Sequence, residues 1–293
     1  MKVGTHNGTF HTDEVLACAI IDTLHGPIHL VRTRDVASLE DCDLVIDVGG
    51  KYDGIKYFDH HQVDFQASRQ FDNVPYASAG LVWLHFGMDV LSSMYGFLPT
   101  ELLVQAHTTI DRKYIQPVDA IDTGHIRPSE QTYHFSQFVS SFNFTNVNDD
   151  NNQMHQFRTA LDVIRSWLFS VITREVQNLQ EQQKVQQAMD KATDSILVLD
   201  SYLPWQDVVL PFNEVCEPTE KFTHVVFPAG DSWRVQAVED AFYFPTSWRG
   251  LANEQLAEVS TEGAIFCHKA GFIAGFTTRE QAIKAATISL NTL

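Results

Sequence analysis

At 293 residues, 44% of them hydrophobic, the chain exceeds a usual single domain and carries enough apolar material for two sizeable cores. Its 37 acidic residues against 20 basic ones give a formal net charge of -17, which argues against coating a long duplex. No apolar run approaches the roughly 18 to 20 residues of a membrane-spanning helix, and the four scattered cysteines (Cys18, Cys42, Cys216, Cys267) form no C-x-x-C pair, so reduced thiols in a cytoplasm are expected.

Hydrophobic period places the elements in chain order. "MKVGTH" reads as a strand, "TDEVLACAIIDTL" as a helix opened by Thr12 ahead of acidic residues, and "IHLVRT" as a second strand, together a βαβ unit. "DLVIDVGG" at 43–50 is a short apolar run broken by Gly49-Gly50, and "IKYFDHH" is a strand that ends on Asp59, His60 and His61. The helical segments "SAGLVWLHFG" and "TELLVQAHTTIDRKYIQPVDAID" follow, so the first half alternates strand and helix as an open, mostly parallel sheet does. The polar "NFTNVNDDNNQ" at 143–153 reads as a loop or boundary.

A long helix is expected over 154–193, with Phe157, Leu161, Ile164 and Leu168 at three- and four-residue spacing. It reads as a structural spine, and it also offers a face for a homodimer. Beyond it "SILVLD", "THVVFPA", "WRVQAVE" and "GAIFCHKAGFIAGF" read as strands, and "TREQAIKAATISL" as a closing helix. The expected fold is α/β. Its N-terminal sheet, mostly parallel and flanked by helices, occupies 1–148, a connecting helical segment 149–194, and a smaller C-terminal α/β domain 195–293.

The polar residues at strand ends form a pattern. His6, His11 and Asp13 follow the first strand, Asp47 the third, and Asp59, His60 and His61 the fourth, while "VDAIDTG" adds Asp119 and Asp122. In an open α/β sheet the carboxyl ends of the strands share one edge, where ligands bind. A single histidine or an aspartate before Gly-Gly is more often a core or turn residue. Four such strand ends are another matter, because converging carboxylates repel unless positive charge sits among them. Imidazole and carboxylate without thiolate suit manganese, iron, cobalt or zinc, with Mn²⁺ or Mg²⁺ favoured as carboxylates dominate, and the donors suffice for two ions sharing a bridging carboxylate.

The order of "THNGTFHTDE", "VIDVGG", "FDHHQ" and "VDAIDTG" resembles the four N-terminal motifs of the DHH phosphoesterase superfamily. It is most similar to the melanocyte-proliferating-gene (Myg) branch, a group of metal-dependent hydrolases with a member described as a 3′-5′ RNA exonuclease. "ASAGLVW" at 77–83, "SWRGLANEQL" at 247–256 and "FCHKAGFIAGFTTREQA" at 266–282 extend the resemblance over nearly the whole chain. Because it begins at about residue 3, no room for a cleaved leader is expected, in keeping with a cytoplasmic protein.

The resemblance implies that His6, His11, Asp13, His60 and Asp122 are metal ligands, with Asp119 a second choice to Asp122, and that Asp47 bridges two ions. Much of the superfamily has aspartate where this chain has His11, which leaves the preference of that site open. Two ions, Mn²⁺ first and Mg²⁺, Co²⁺ or Zn²⁺ as alternatives, would lie about 3.5 to 4 Å apart and activate water for in-line displacement at phosphorus. His61 would contact phosphate or act as general acid, with Asp59 orienting it. In the C-terminal domain Arg249 and His268 are the expected substrate contacts, and Gly271 and Gly275 would admit the ligand to the backbone. Trp233 and Phe272 could stack a base, although a core position suits each better.

The expected function is therefore metal-dependent hydrolysis of phosphodiesters in short single-stranded RNA or nucleotides, with no membrane partner. A small-molecule phosphatase or pyrophosphatase and a non-catalytic metal-binding regulator are the alternatives.

Overall fold

The computed structural model describes residues 1–129 and 131–292, which divide into two compact units, Met1–Gln177 and Asn178–Leu293, each with its own sheet. In the first unit β1 (Lys2–Thr5), β2 (His29–Arg32), β3 (Leu44–Ile46) and β4 (Tyr57–Phe58) form a sheet of order β2-β1-β3-β4, every pairing parallel. Its helices are α1 (Thr12–His25), α2 (Val36–Glu40), α3 (Ser78–Tyr95), α4 (Thr100–Ile110), α5 (Gln116–Asp122), α6 (Phe135–Ser140) and the first part of α7 (Asp150–Lys191). A single π-helical turn, Asp111–Ile115, joins α4 to α5 within the segment expected as one helix.

The run "VLACAII" explains itself here. Residues 12–22 of α1 are buried all round, so the helix shows no polar face over its first three turns, and it packs most extensively on α3. His11, and not Thr12, is the residue that precedes the helix.

α3 starts without a capping side chain of its own. Its exposed N–H groups are met from a distance, Ser78 N–H donating to Asp13 Oδ2 (3.4 Å) and Gly80 N–H to Asp119 Oδ1 (3.0 Å), so buried carboxylates sit at the positive end of the helix dipole. Arg69 neutralises Asp119 from the other side (2.9 Å) and grips Asp111 at the π turn with Nε and Nη2 (2.8 and 2.7 Å). Gly80 is what lets these groups meet. A Cβ there would lie 1.8 Å from Asp119 Oδ2 and 2.8 Å from Arg69 Nη2.

The second unit holds β5 (Ile196–Val198), α8 (Gln206–Val215), β6 (His224–Ala229), β7 (Ser232–Ala237), α9 (Asn253–Val259), β8 (Ala264–Cys267), β9 (Ile273–Phe276) and α10 (Arg279–Leu290). The sheet order is β5-β6-β7-β9-β8, parallel between β5 and β6 and antiparallel elsewhere. Phe244, Trp248 and Phe276 anchor its core, and a Thr278–Gln281 capping box starts α10.

Several expectations shift. The expected fourth strand contracts to Tyr57–Phe58, and "GAIFCHKAGFIAGF" breaks into β8 and β9 at a turn where Gly271 takes φ +84°. α7 begins at Asp150, inside the polar segment read as a loop, and the limit between the two units falls within it. The helical segment expected over 149–194 is α7, and it is divided between the two units. No helix among the described residues is long and apolar enough to cross a membrane.

Replacing Gly80 with alanine should lower the free energy of unfolding by about 3–5 kcal/mol, because the methyl group forces the buried Arg69–Asp119 pair apart. Denaturant titration of Gly80→Ala beside the parent protein measures this. A change below about 1 kcal/mol would show that the pair yields without loss.

Candidate metal centre

Three parallel strands end on chemistry-bearing residues: β1 is followed by His6, β3 by Asp47, and β4 by Asp59, His60 and His61. Because β3 lies between β1 and β4, Asp47 is flanked from both sides. Its Oδ2 is 3.4 Å from His6 Nε2, and its Oδ1 is 3.4 Å from His60 Nε2 and 3.5 Å from His61 Nδ1. The backbone of Asp47 has φ +60°, in the left-handed region, and Gly49 and Gly50 follow at +99° and +64°. Such a conformation costs an aspartate on the order of 1–3 kcal/mol and persists only where the surroundings hold it. Here the hold includes Ser78 Oγ, which donates to Asp47 Oδ1 at 2.9 Å.

The first turn of α1 adds a second layer. Glu14 Oε2 accepts the His11 N–H (2.8 Å), which fixes the helix start and leaves Oε1 only 2.8 Å from His6 Nε2. Asp13 is fully buried, with Oδ2 3.8 Å from His60 Nε2, and Asp122 at the end of α5 places Oδ2 3.2 Å from the same nitrogen. Ligand atoms within 4.8 Å of one another define three groups: His6, His11, Glu14 and Asp47; Asp47, His60 and His61; His11, Asp13 and Asp122. Asp47 belongs to two of them.

These residues fit divalent ions. Asp13 Oδ1, Glu14 Oε1 and His60 Nε2 are buried yet make no aligned hydrogen bond, so their neighbours meet them only as charges. The donors are nitrogen and oxygen, and the four cysteines are all elsewhere as free thiols.

The electrostatics follow from burial and proximity. Burial alone would lower the pKa of His6, but its contacts with Asp47 and Glu14 outweigh it and raise the value to about 10. Burial is likewise overcome at His60 by Asp122 and Asp47, again to about 10. Burial raises Asp13 well above the ordinary carboxylate range, and the charges of Asp47 and Asp122 add to it. Asp47 itself is held low, because His6 and His60 outweigh its burial.

Beside the cluster, Asp59 and His61 form a pair. His61 Nδ1 lies 2.8 Å from Asp59 Oδ1, while the N–H groups of Gly50 and His61 donate to Asp59 (2.6 and 3.1 Å). The Asp59 contact raises the His61 pKa despite partial burial. With 60% of its side chain exposed, His61 presents its other nitrogen to solvent. His6, His11, Asp47, Asp59 and His61 line one cleft of about 610 Å³.

Asp119, the second choice to Asp122, is turned away: it is committed to Arg69 and to the start of α3 and belongs to none of the three groups. In the second unit Arg249 donates through Nε to Phe244 O (2.8 Å), and a Cβ on Gly271 would lie 2.4 Å from that nitrogen, so Gly271 makes room for the arginine. His268 is in the same turn, accepting from Ala270 N–H, with its ring tilted against that of Phe272 at 4.7 Å. Gly275 is not with them. It lies mid-strand in β9, where it admits the Phe266 ring and Arg234. Trp233 packs against the core of the unit.

Two residues escaped the sequence reading, Glu14 in the buried cluster and Arg34 in the cleft. Glu14 was legible as the capping-box acid of α1, which hid its second oxygen. Arg34 lines the cleft two residues beyond β2, and the rule that strand ends share one edge would have collected it.

Comparison with known proteins comes to the same region of sequence space. The MYG1_exonuc family model, described as "Uncharacterised protein family (UPF0160)", matches residues 2–290. The MYG1 protein C694.04c of Schizosaccharomyces pombe is 33% identical, covering 99% of this chain and 98% of its own. The MYG1 exonucleases of Rattus norvegicus and Homo sapiens are 34% and 32% identical, each over 99% of this chain and 84% and 85% of their own.

Metal binding should expel protons. His6 and His60, with values near 10, are cations at neutral pH in the metal-free protein, and an ion takes only the neutral ring. Loading with Mn²⁺ should therefore release two or more protons per chain, and each site's apparent affinity should rise about tenfold per pH unit from 6 to 8. Calorimetric titration in two buffers of different ionisation enthalpy counts them. Release near zero would remove both rings as ligands.

Proposed function

The chain belongs to the MYG1_exonuc family, and on that footing we propose that it is a metal-dependent phosphoesterase that shortens RNA or nucleotide chains from the 3′ end. The observation that carries the reading is Asp47, whose carboxylate is shared by two ligand groups at the centre of one sheet edge. The exonuclease names of the relatives agree with a nuclease-like hydrolase, and the order of the motifs agrees with the DHH superfamily.

In this reading His6, His11, Asp13, Asp47, His60 and Asp122 hold two divalent ions, Mn²⁺ first among them, and Glu14 joins the set. Ions so held would supply an activated water and positive charge against the phosphoryl oxygens. The remaining work falls to the chain. Asp59, fixed by Gly50 and His61 N–H groups, orients the His61 ring through Nδ1. His61 Nε2 would then carry a proton that it can donate to the leaving oxygen, a form that the Asp59 contact favours by raising the His61 pKa. Catalysis belongs to the first unit. Arg249 and His268 of the second, with Gly271 shaping their turn, are the substrate contacts proposed for that unit. The scattered thiols suit a cytoplasmic location.

A time course on short 5′-labelled RNA tests this, using chelator-stripped protein with Mn²⁺ or Mg²⁺ restored. The expected result is a metal-dependent ladder shortening from the 3′ end. Asp47→Asn suits the control, because asparagine tolerates the left-handed backbone, and it should lose more than the roughly 10- to 100-fold typical of an outer hydrogen-bond partner. His61→Gln should lower kcat by about 10²- to 10⁴-fold. Intact RNA beside hydrolysed small phosphoesters would reassign the protein as a phosphatase, and no turnover of either with metal bound would leave a regulator.

A further inference from the structure

The mechanism leaves one group in the cleft unused. Arg34 is the one lysine or arginine among the described residues that line it. Its Nη1 donates to Asn7 O (2.6 Å) and Asn7 Oδ1 (2.9 Å), which fixes the side chain beside the loop that follows His6. Arg32, two residues earlier, is spent otherwise: it donates to Gly8 O at 2.9 Å and lies over the Phe10 and Phe157 rings. Arg34 is exposed, and no carboxylate among the described residues pairs with it. In a chain of net charge -17, an unpaired guanidinium held at the mouth of an anionic cleft is selective for something negative.

Its position tells what. β2 stands at the edge of the sheet, two strand spacings or about 10 Å from β3 and Asp47. Arg34 is therefore displaced from the centre by a distance that one nucleotide step and an arginine's own reach cover together. We propose that Arg34 binds the phosphate adjoining the scissile one, so that the cleft selects nucleotide chains with at least two phosphates over compounds with one. The fork of the guanidinium matches two phosphate oxygens, which an ammonium cannot copy. This assignment rests on the phosphodiesterase reading of the same cleft.

The test compares a dinucleotide with one internal phosphate (NpN) against the same compound bearing a second phosphate at either end (pNpN and NpNp), with Mn²⁺-loaded protein. In Arg34→Ala the KM for one doubly phosphorylated isomer should rise about tenfold to a hundredfold, with kcat, the KM for NpN and Mn²⁺ affinity unchanged. Arg34→Lys should recover only part of the loss. If Arg34 merely tethers Asn7, all three substrates lose equally and Mn²⁺ affinity falls with them, which overturns the proposal, as does a KM unchanged on every substrate. Failure of the parent protein to cleave any of the three is a separate outcome: it removes the phosphodiesterase reading and this assignment together.

Discussion

Asp47 is held in a left-handed backbone conformation at the end of the strand that lies between β1 and β4. Each feature of the cleft is arranged around that constraint. Strand order alone puts His6 on one side of its carboxylate and His60 and His61 on the other, and the Gly49-Gly50 turn leads the chain on from the strand end. A carboxylate so deeply buried needs positive charge. In the absence of ions the raised pKa values of His6 and His60 provide it, and this contribution is present below about 6.5, the ordinary histidine value, and is lost as pH rises through about 10. Ions held by this cluster would thus compete with protons for the same rings.

The groups behind the cluster solve a different problem, that of keeping α1, α3 and α5 aimed at one point. α1 and α5 both present acidic groups toward the cluster or its base, and their mutual repulsion would push them apart. The N-terminus of α3 draws in Asp13 and Asp119, and Arg69 ties Asp119 to Asp111 at the π turn. That turn accommodates an extra residue in the helix between α4 and α5, so the start of α5 is offset from the line of α4, and Asp119 and Asp122 divide between support and site. The two aspartates lie three residues apart on one helix, yet one meets Arg69 and the other meets His60.

That division was illegible in the sequence, where Asp119 and Asp122 differ only by their place in "VDAIDTG". Choosing between them depended on Arg69, fifty residues upstream, which no local pattern marks. The parallel sheet was legible, because short apolar runs alternated with helical period, and so were His6, Asp47 and His60, because each directly follows such a run. Short helices were not: "VASLE" has a single buried residue, and Pro211 inside α8 reads as a helix breaker. Glu14 was obscured by having two roles, one oxygen for the helix start and one for His6. Gly275 misled because a glycine that admits an aromatic ring reads the same as one that admits a ligand.

An acidic protein and an anionic substrate are compatible when the charges are sorted by distance. At physiological ionic strength the field of a surface charge fades over about 8 Å, so most of the -17 is felt by a long duplex lying across the surface and little of it by a short chain end inside the cleft. Within the cleft the balance is different. Asp13, Glu14, Asp47 and Asp122 would be offset by the ions they hold, His61 carries its proton outward, and Arg34 adds a fixed charge at one side. On the proposed reading, the same carboxylates that make the protein acidic would be the reason this sheet edge is not, and a substrate end would gain attraction only once it has left the repelling surface. Such an arrangement, on the same reading, would discriminate by size, admitting short or single-stranded ends and turning away the double helix without a wall to exclude it.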